Sequence, residues 1–218
     1  MIYKSILDLF LKSQCSLCDR SAEAELCPYC QRQIQHAQFA NPRQFWQQPL
    51  PVFSWGEYSG KLKAAIAAMK YENRPQLAKP LGQWLGRAWQ NSFPGKRDRP
   101  TVVPIPMHLQ KRRERGFDQA ELLARSFCQM TGFPLEKRGL QRMRQTQALF
   151  NLSPEERQQE VADAFEVGAG FRRRQPSGTV LLLDDIYTTG ATAKAAATAL
   201  KRRGIRVLGV AAIATPRR

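Results

Sequence analysis

From Val52 to Tyr58 apolar and polar positions alternate, with Val52, Phe53, Trp55 and Tyr58 forming the apolar set, and this short period suits a β-strand. At Gly60 the period lengthens: Leu62, Ile66 and Met69 recur on one face, as in an amphipathic helix. A second helix is expected from Gln76 to Trp89, then a turn or loop from Phe93 to Pro100, where Pro94, Gly95 and Pro100 gather. Thr101 to Ile105 is a short apolar run between turn signals, which reads as a buried strand. A basic loop follows, then a helix from Asp118 to Met130. Residues 137–160 are polar and without clear periodicity, becoming acidic and glutamine-rich. Thr179 to Leu183 is another apolar strand, Ala191 to Arg203 an alanine-rich helix stopped by Gly204, and Arg206 to Ile213 a further strand. Strand, helix and strand at this spacing make a βαβ unit. The fold class is therefore α/β, with a parallel sheet flanked by helices.

The N-terminal part has a different texture. Ile2, Ile6, Leu9 and Phe10 share a helical face, but Lys4 and Asp8 interrupt it, so Met1 to Lys12 reads as a small amphipathic helix rather than a signal peptide. Gln35 to Pro51 is rich in Gln, Pro and Asn and reads as a linker. The expected organisation is a module over residues 1–40 and a main domain over 52–218.

At 218 residues with 43% apolar content, the chain can build one medium domain plus an appendage. No stretch approaches the roughly 20 apolar residues of a membrane span, which places the expected location in the cytoplasm. The net charge of +16 favours a polyanionic partner. Cations also serve a phosphorylated sugar or simply a solvated surface, and charge alone leaves these open.

The cysteines narrow the choice. Four of the five lie between Cys15 and Cys30, as Cys15-x-x-Cys18 and Cys27-x-x-Cys30. In a cytoplasmic protein such clustering reads as metal ligation before disulfides. Two such knuckles can set four thiolates around a structural Zn²⁺, leaving no open position for catalysis. Unligated or redox cysteines are the alternative. Cys128 reads as a buried small hydrophobe and His36 as a surface residue.

The strand ending at Leu183 leads into Asp184-Asp185-Ile186-Tyr187-Thr188-Thr189-Gly190-Ala191-Thr192. It delivers two carboxylates to its C-terminal end, where ligands bind in open α/β sheets. Gly190 permits close backbone approach. The loop then opens a helix whose free N–H groups favour an anion, and three threonine hydroxyls add donors. Adjacent acids make sense if they grip the hydroxyls of a sugar whose phosphate lies in the loop, and they would steady positive charge as a glycosidic bond breaks. Without a ligand the same pattern is a threonine-capped strand–turn–helix. A Walker P-loop is excluded, since no Gly-Lys-Ser/Thr follows.

This pattern resembles the phosphoribosyl-diphosphate (PRPP) signature of type I phosphoribosyltransferases. The resemblance implies ribose contacts for Asp184 and Asp185, 5′-phosphate contacts for Thr188, Thr189, Gly190, Ala191 and Thr192, and Mg²⁺ accompanying the diphosphate. Val102-Val103-Pro104-Ile105-Pro106 leads into Lys111-Arg112-Arg113-Glu114-Arg115-Gly116-Phe117-Asp118-Gln119-Ala120. Arginine forks match diphosphate oxygens. Together with the cysteine module, Met69-Lys70-Tyr71 and Arg142-Met143-Arg144-Gln145-Thr146-Gln147, these segments resemble the ComF family, where Asn is usual at the position of Asp118. The resemblance implies diphosphate or loop roles for Arg112, Arg113, Arg115, Arg142, Arg144 and Lys70, with the segment around Arg142 and Arg144 as a flap. It also implies a part in natural transformation and the use of external DNA. The expected partners are single-stranded DNA, an uptake channel and a helicase-like ATPase at the inner face of the membrane. Two alternatives stand beside it. One is an active phosphoribosyltransferase for an unidentified acceptor. The other is a plain zinc-containing DNA-binding module, which leaves the acidic pair without a role.

Overall fold

A computed structural model describes residues 14–95, 98–143 and 164–217. Its helices are α1 (Pro28–Gln35), α2 (Gly60–Tyr71), α3 (Ala78–Ser92), α4 (Leu109–Arg115), α5 (Gln119–Thr131), α6 (Ala169–Arg173) and α7 (Ala191–Lys201). Its strands are β1 (Val52–Glu57), β2 (Thr101–Pro104), β3 (Leu140–Arg142), β4 (Phe165–Val167), β5 (Val180–Ile186) and β6 (Val207–Thr215). A single 3₁₀ turn, Pro75–Leu77, precedes α3. The helix expected at Met1 to Lys12 and the polar stretch from residue 144 to 160 lie outside the described residues.

Four strands form a parallel sheet in the order β1-β6-β5-β2, as the α/β reading requires. Side chains alternate across it. Leu181, Leu183, Ala211, Ile213, Phe53 and Trp55 enter a core shared with α2, α3 and α5. Val180, Leu182, Val210, Ala212 and Val103 enter a second core under α7, with Phe171 of α6 and Phe165 of β4. Both faces are buried, which is why the central strands read as nearly unbroken apolar runs.

Both sheet edges are covered. Beyond β2, Val102 N–H donates to Pro134 O at 2.8 Å and Glu136 N–H to Val102 O at 2.9 Å. Beyond β1 lies the segment expected as a linker, and it is docked rather than loose. Val52 N–H donates to Phe45 O at 3.0 Å, and Ser54 N–H to Pro42 O at 3.1 Å. Trp46 packs edge-on to Trp89 with centroids 5.5 Å apart. The polar composition of this segment hid two aromatic anchors, and occupying the backbone groups of an edge strand favours such docking.

Three further differences bear on the site. The basic stretch after Pro106, expected as a loop, is the helix α4. His108 Nδ1 accepts from Gln110 N–H at 3.3 Å at its start, and Gly116, at φ 82°, closes it in the left-handed region. Strand β5 runs on through both acids, because β6 continues beside it and pairs Asp184 with Ala212 and Ile186 with Ala214. Antiparallel β3 and β4 were not foreseen; at three residues each they are too short to show a period.

Helices α3 and α5 approach closely at two glycines. A Cβ on Gly82 would meet Leu123 O and Ser126 Cβ at 2.6 Å, and one on Gly86 would meet Met130 Cβ at 2.7 Å. This contact places the start of α5 beside the C-terminal ends of β2 and β5.

Candidate functional site

The two cysteine knuckles converge. Asp19, at φ 57°, turns the chain after the first, and its N–H donates to Cys15 O at 2.9 Å. In the second, Cys27 is the N-cap of α1 and its Sγ accepts from Cys30 N–H at 3.5 Å. All four sulfurs lie within 4.8 Å of one another, and all four residues are free thiols. Cys18 Sγ and Cys27 Sγ are 3.7 Å apart. A tetrahedral site with metal–sulfur bonds of about 2.3 Å has sulfur–sulfur edges of about 3.8 Å. The four cysteines can therefore hold a metal ion, and their spacing fits zinc.

The thiol acidities describe the same crowding. At Cys15 burial opposes ionisation, but hydrogen bonds from the Cys27, Leu17 and Cys18 backbone outweigh it and lower the pKa to about 7. Burial and the neighbouring sulfurs push Cys30 far upward. The thiolate favoured at Cys15 and the one resisted at Cys30 lie in the same cluster, and a divalent cation there would favour both.

The cluster is continuous with the main core through Ile34, Leu62 and Ile66. Asp19, in the loop between the knuckles, meets Arg74 at 3.2 Å, and Glu25 meets Lys79 at 2.7 Å. The acidic charge of the module is thus turned onto the turn before α3 and the start of α3 itself.

The second site is at the C-terminal ends of β5 and β2. Successive residues of a strand face opposite ways, so Asp185 points to the α2 side and Asp184 to the α7 side. Lys70, in the last turn of α2, meets Asp185 Oδ2 through Nζ at 2.8 Å. Asp184 Oδ1 accepts from Asp185 N–H at 2.8 Å. Burial and the neighbouring Asp185 charge raise the Asp184 pKa well above the carboxylate range, against the opposing pull of the Asp185 N–H and Lys70.

The turn that follows is held by Tyr187. Its N–H donates to Ala214 O at 2.9 Å, and its carbonyl accepts from Thr215 Oγ1 at 2.7 Å. Gly190 is in the left-handed region at φ 78°, and any Cβ there would run into the Tyr187 hydroxyl. Gly190 is also the N-cap of α7 and supplies no side chain, so the helix start stays open apart from a 3.4 Å contact of Ala191 N–H with Thr189 Oγ1.

These elements enclose a cleft of about 330 Å³. Asp184, Asp185, Thr188 and Thr192 line it with the cations Lys70, Lys111, Arg115 and Arg142. Carboxylates at the floor accept from hydroxyl donors, and cations at the rim face anionic oxygens.

No protein-family model matches the chain. Individual relatives do. Competence protein F of Haemophilus influenzae is 24% identical over 210 residues, covering 90% of this chain and 87% of the relative. The DNA utilization protein YhgH of Escherichia coli K12 is 25% identical over 208 residues, covering 90% and 87%. Competence protein ComFC of Bacillus subtilis is 25% identical over 148 residues, covering 67% and 56%. These likenesses support the resemblance to the ComF family.

Within this chain the arginine-rich helix divides its charges. Arg112 turns to Glu121 at 3.1 Å, where Arg125 and Lys137 also converge. Arg115 lines the acidic cleft, and Arg113 lines a neighbouring one. Thr189 faces away, into a separate cavity of about 250 Å³ with Phe45, Tyr187 and Lys194. Gly190 and Ala191 shape the turn. Arg142, on β3, reaches the cleft, and burial lowers its pKa against the pull of Asp184. Arg144 lies outside the described residues.

Sequence reasoning quoted Lys111 and Tyr71 in their segments without a site role, and the cleft brings both into its lining, while the part played by Asp118 was not foreseen. Asp118 Oδ1 accepts from Glu121 N–H at 3.1 Å, capping α5, and Oδ2 accepts from Met107 N–H at 3.0 Å. Asn, usual here in the ComF family, has one such oxygen and serves one of these donors. Burial raises the Asp118 pKa, and the two N–H groups oppose it. The sequence placed Asp118 at the start of this helix; both acceptor roles required the fold.

Proposed function

We propose that this protein binds PRPP in the cleft at the ends of β2 and β5 and acts in the uptake and use of external DNA. The observation that carries the ligand assignment is the meeting of Asp184 and Asp185 with Thr188, Thr192 and four cations in one cleft. The acids accept from the ribose hydroxyls. Thr188 and Thr192, with the open start of α7, receive the 5′-phosphate. Lys111, Arg115, Lys70 and Arg142 face the diphosphate. Mg²⁺ bound with the diphosphate would neutralise part of its charge, and Asp184 and Asp185 are suitable oxygen ligands beside it.

The printed names of the relatives, competence and DNA utilization proteins, support the cellular role. Single-stranded DNA is the proposed polyanionic partner for a chain of net charge +16. An uptake channel and a helicase-like ATPase at the inner membrane face are the proposed assembly partners. Among the described residues no helix is long and apolar enough to cross a membrane. Residues 52–218 form the phosphoribosyltransferase-like domain, and residues 1–40 a zinc module that braces it.

A second reading is an active phosphoribosyltransferase with an unidentified acceptor. Its support is the pair of acids where positive charge would develop at the anomeric carbon as the diphosphate departs. One experiment addresses both readings. PRPP with Mg²⁺ is titrated calorimetrically into wild type and the double variant Asp184→Asn/Asp185→Asn, and diphosphate release is followed with and without single-stranded DNA. Wild type binds and the variant does not. Equal binding by both would remove the assignment, and sustained diphosphate release would select the transferase.

A further inference from the structure

Beside the acidic cleft lies a larger and more open one, of about 810 Å³, lined by Lys70, Tyr71, Asn73, Lys111, Arg113 and Arg115, with Glu114 as its one carboxylate, which accepts from Gln110 Nε2 at 3.0 Å. The two clefts share Lys70, Tyr71, Lys111 and Arg115, so they form one continuous surface. Tyr71 ends α2 with 78% of its surface exposed, an unusual state for a large aromatic. The Arg115 guanidinium lies 5.7 Å from its ring centroid. Among the described residues, no carboxylate engages Lys111, Arg113 or Arg115, whereas Arg112 of the same helix is drawn to Glu121. Helix α4 therefore turns one cation inward as an anchor and leaves three facing the cleft and Tyr71.

We propose that this cleft is a docking surface for single-stranded nucleic acid, with Tyr71 as the stacking platform for a base, Arg113 as a phosphate contact, and Lys111 and Arg115 shared between the strand and the acidic cleft. The inference rests on the proposed contact with single-stranded DNA and assigns it a place. An exposed ring with one cation against it and free cations around it has the chemistry of strand binding. Bases stack on the ring without regard to sequence, and the arginines hold the backbone. A duplex offers no free base face to Tyr71, and the carboxylates of an acidic peptide are repelled by the negative face of its ring. Because the cleft opens into the acidic site, a bound strand lies next to the place where PRPP is proposed to bind.

The test uses the full chain and a fluorescent oligothymidylate of about 16 nucleotides, the upper end of site sizes for one binding module. Affinity is read by anisotropy across a salt series, alongside an abasic strand of the same length. Tyr71→Ala weakens oligothymidylate binding about 5- to 100-fold, the loss of one stacked base. Tyr71→Trp restores it, and the abasic strand is insensitive to both changes. Arg113→Ala weakens both strands and lowers the salt slope by about 0.7, one phosphate contact. Tyr71 is exposed, so these variants keep the fold. If wild type binds no strand at any salt, the DNA-contact reading itself fails. If wild type binds but Tyr71→Ala and Arg113→Ala bind equally well, this cleft is overturned while DNA contact stands. Equal weakening of thymidylate and abasic strands by Tyr71→Ala would refute the stacking.

Discussion

Lys70 Nζ meets Asp185 Oδ2 at 2.8 Å, joining the last turn of α2 to the end of β5, with side-chain exposures of 18% and 11%. The pair is shielded enough that removing one partner strands a charge, yet open enough that solvent softens the loss. Breaking a fully buried pair costs about 3–5 kcal/mol, so Lys70→Met should cost about 1–3 kcal/mol here. Combining Lys70→Met with Asp185→Asn should recover part of that loss. Urea unfolding of the two single variants and the double variant gives the coupling; strictly additive losses would show that the pair contributes nothing.

Asp184 sets a pH dependence. Its folded pKa is raised by burial and by Asp185, so the folded state holds its proton over a range where the unfolded chain has released it. Stability from this group is full below the unfolded value, about 3.9, and is lost as pH rises through the folded pKa. Asp184→Asn removes that loss. Thermal melts should show the variant more stable than wild type at neutral pH, with the gap closing towards pH 4. The proposed binding of PRPP with Mg²⁺ should move oppositely, because as proposed it uses the ionised acids. A gap that widens on acidification would contradict this account.

The four cysteines predict one zinc per chain on elemental analysis. Because the cluster shares the core of the main domain, metal loss should destabilise the whole chain and not only the module. Cys18→Ser, or removal of the metal by a strong chelator, should cost about 3 kcal/mol or more and lower the unfolding midpoint measured by far-UV circular dichroism. Four titratable thiols in metal-free purified protein with an unchanged midpoint would exclude a structural metal.

Gly190 carries two constraints, a left-handed backbone and a hydrogen atom facing the Tyr187 hydroxyl. Gly190→Ala should cost about 2–3 kcal/mol from backbone strain plus the displacement of Tyr187, and it should abolish the proposed PRPP binding. Gly178→Ala is the control: an added Cβ there meets nothing within 4 Å, and its stability should stay within about 0.5 kcal/mol of wild type. Equal behaviour of the two variants in calorimetry would show that the turn has no special geometry.

Much of the α/β architecture is legible in the chain because its signals are local. The periods of β1 and α2, the alanine-rich run of α7 and the apolar runs of β2, β5 and β6 reflect burial of each element on one or both faces. The paired Cys-x-x-Cys spacing and the run from Asp184 to Thr192 each place their groups within one turn of backbone. They could therefore be read before any tertiary contact was known. The strands β3 and β4 escaped because three residues carry no period, and the docking of Trp46 escaped because a polar segment with isolated aromatics resembles a linker. Composition likewise suggested a loop where α4 forms, since the cap at His108 and the stop at Gly116 are single residues.

What the sequence by itself determined is which residue types stand next to one another: the two acids before a threonine-rich turn, the four thiols, the block of cations. Only the tertiary structure decided which of them meet. Lys70 reaches Asp185, Arg112 is taken by Glu121 while among the described residues Arg113 and Arg115 meet no carboxylate, and Tyr71 is exposed at the mouth of the cleft with Arg115 against its ring. The physical reason is that these pairings depend on where helix ends fall over strand ends. That is set by the packing of α3 on α5 and of both on the sheet, contacts between segments far apart along the chain.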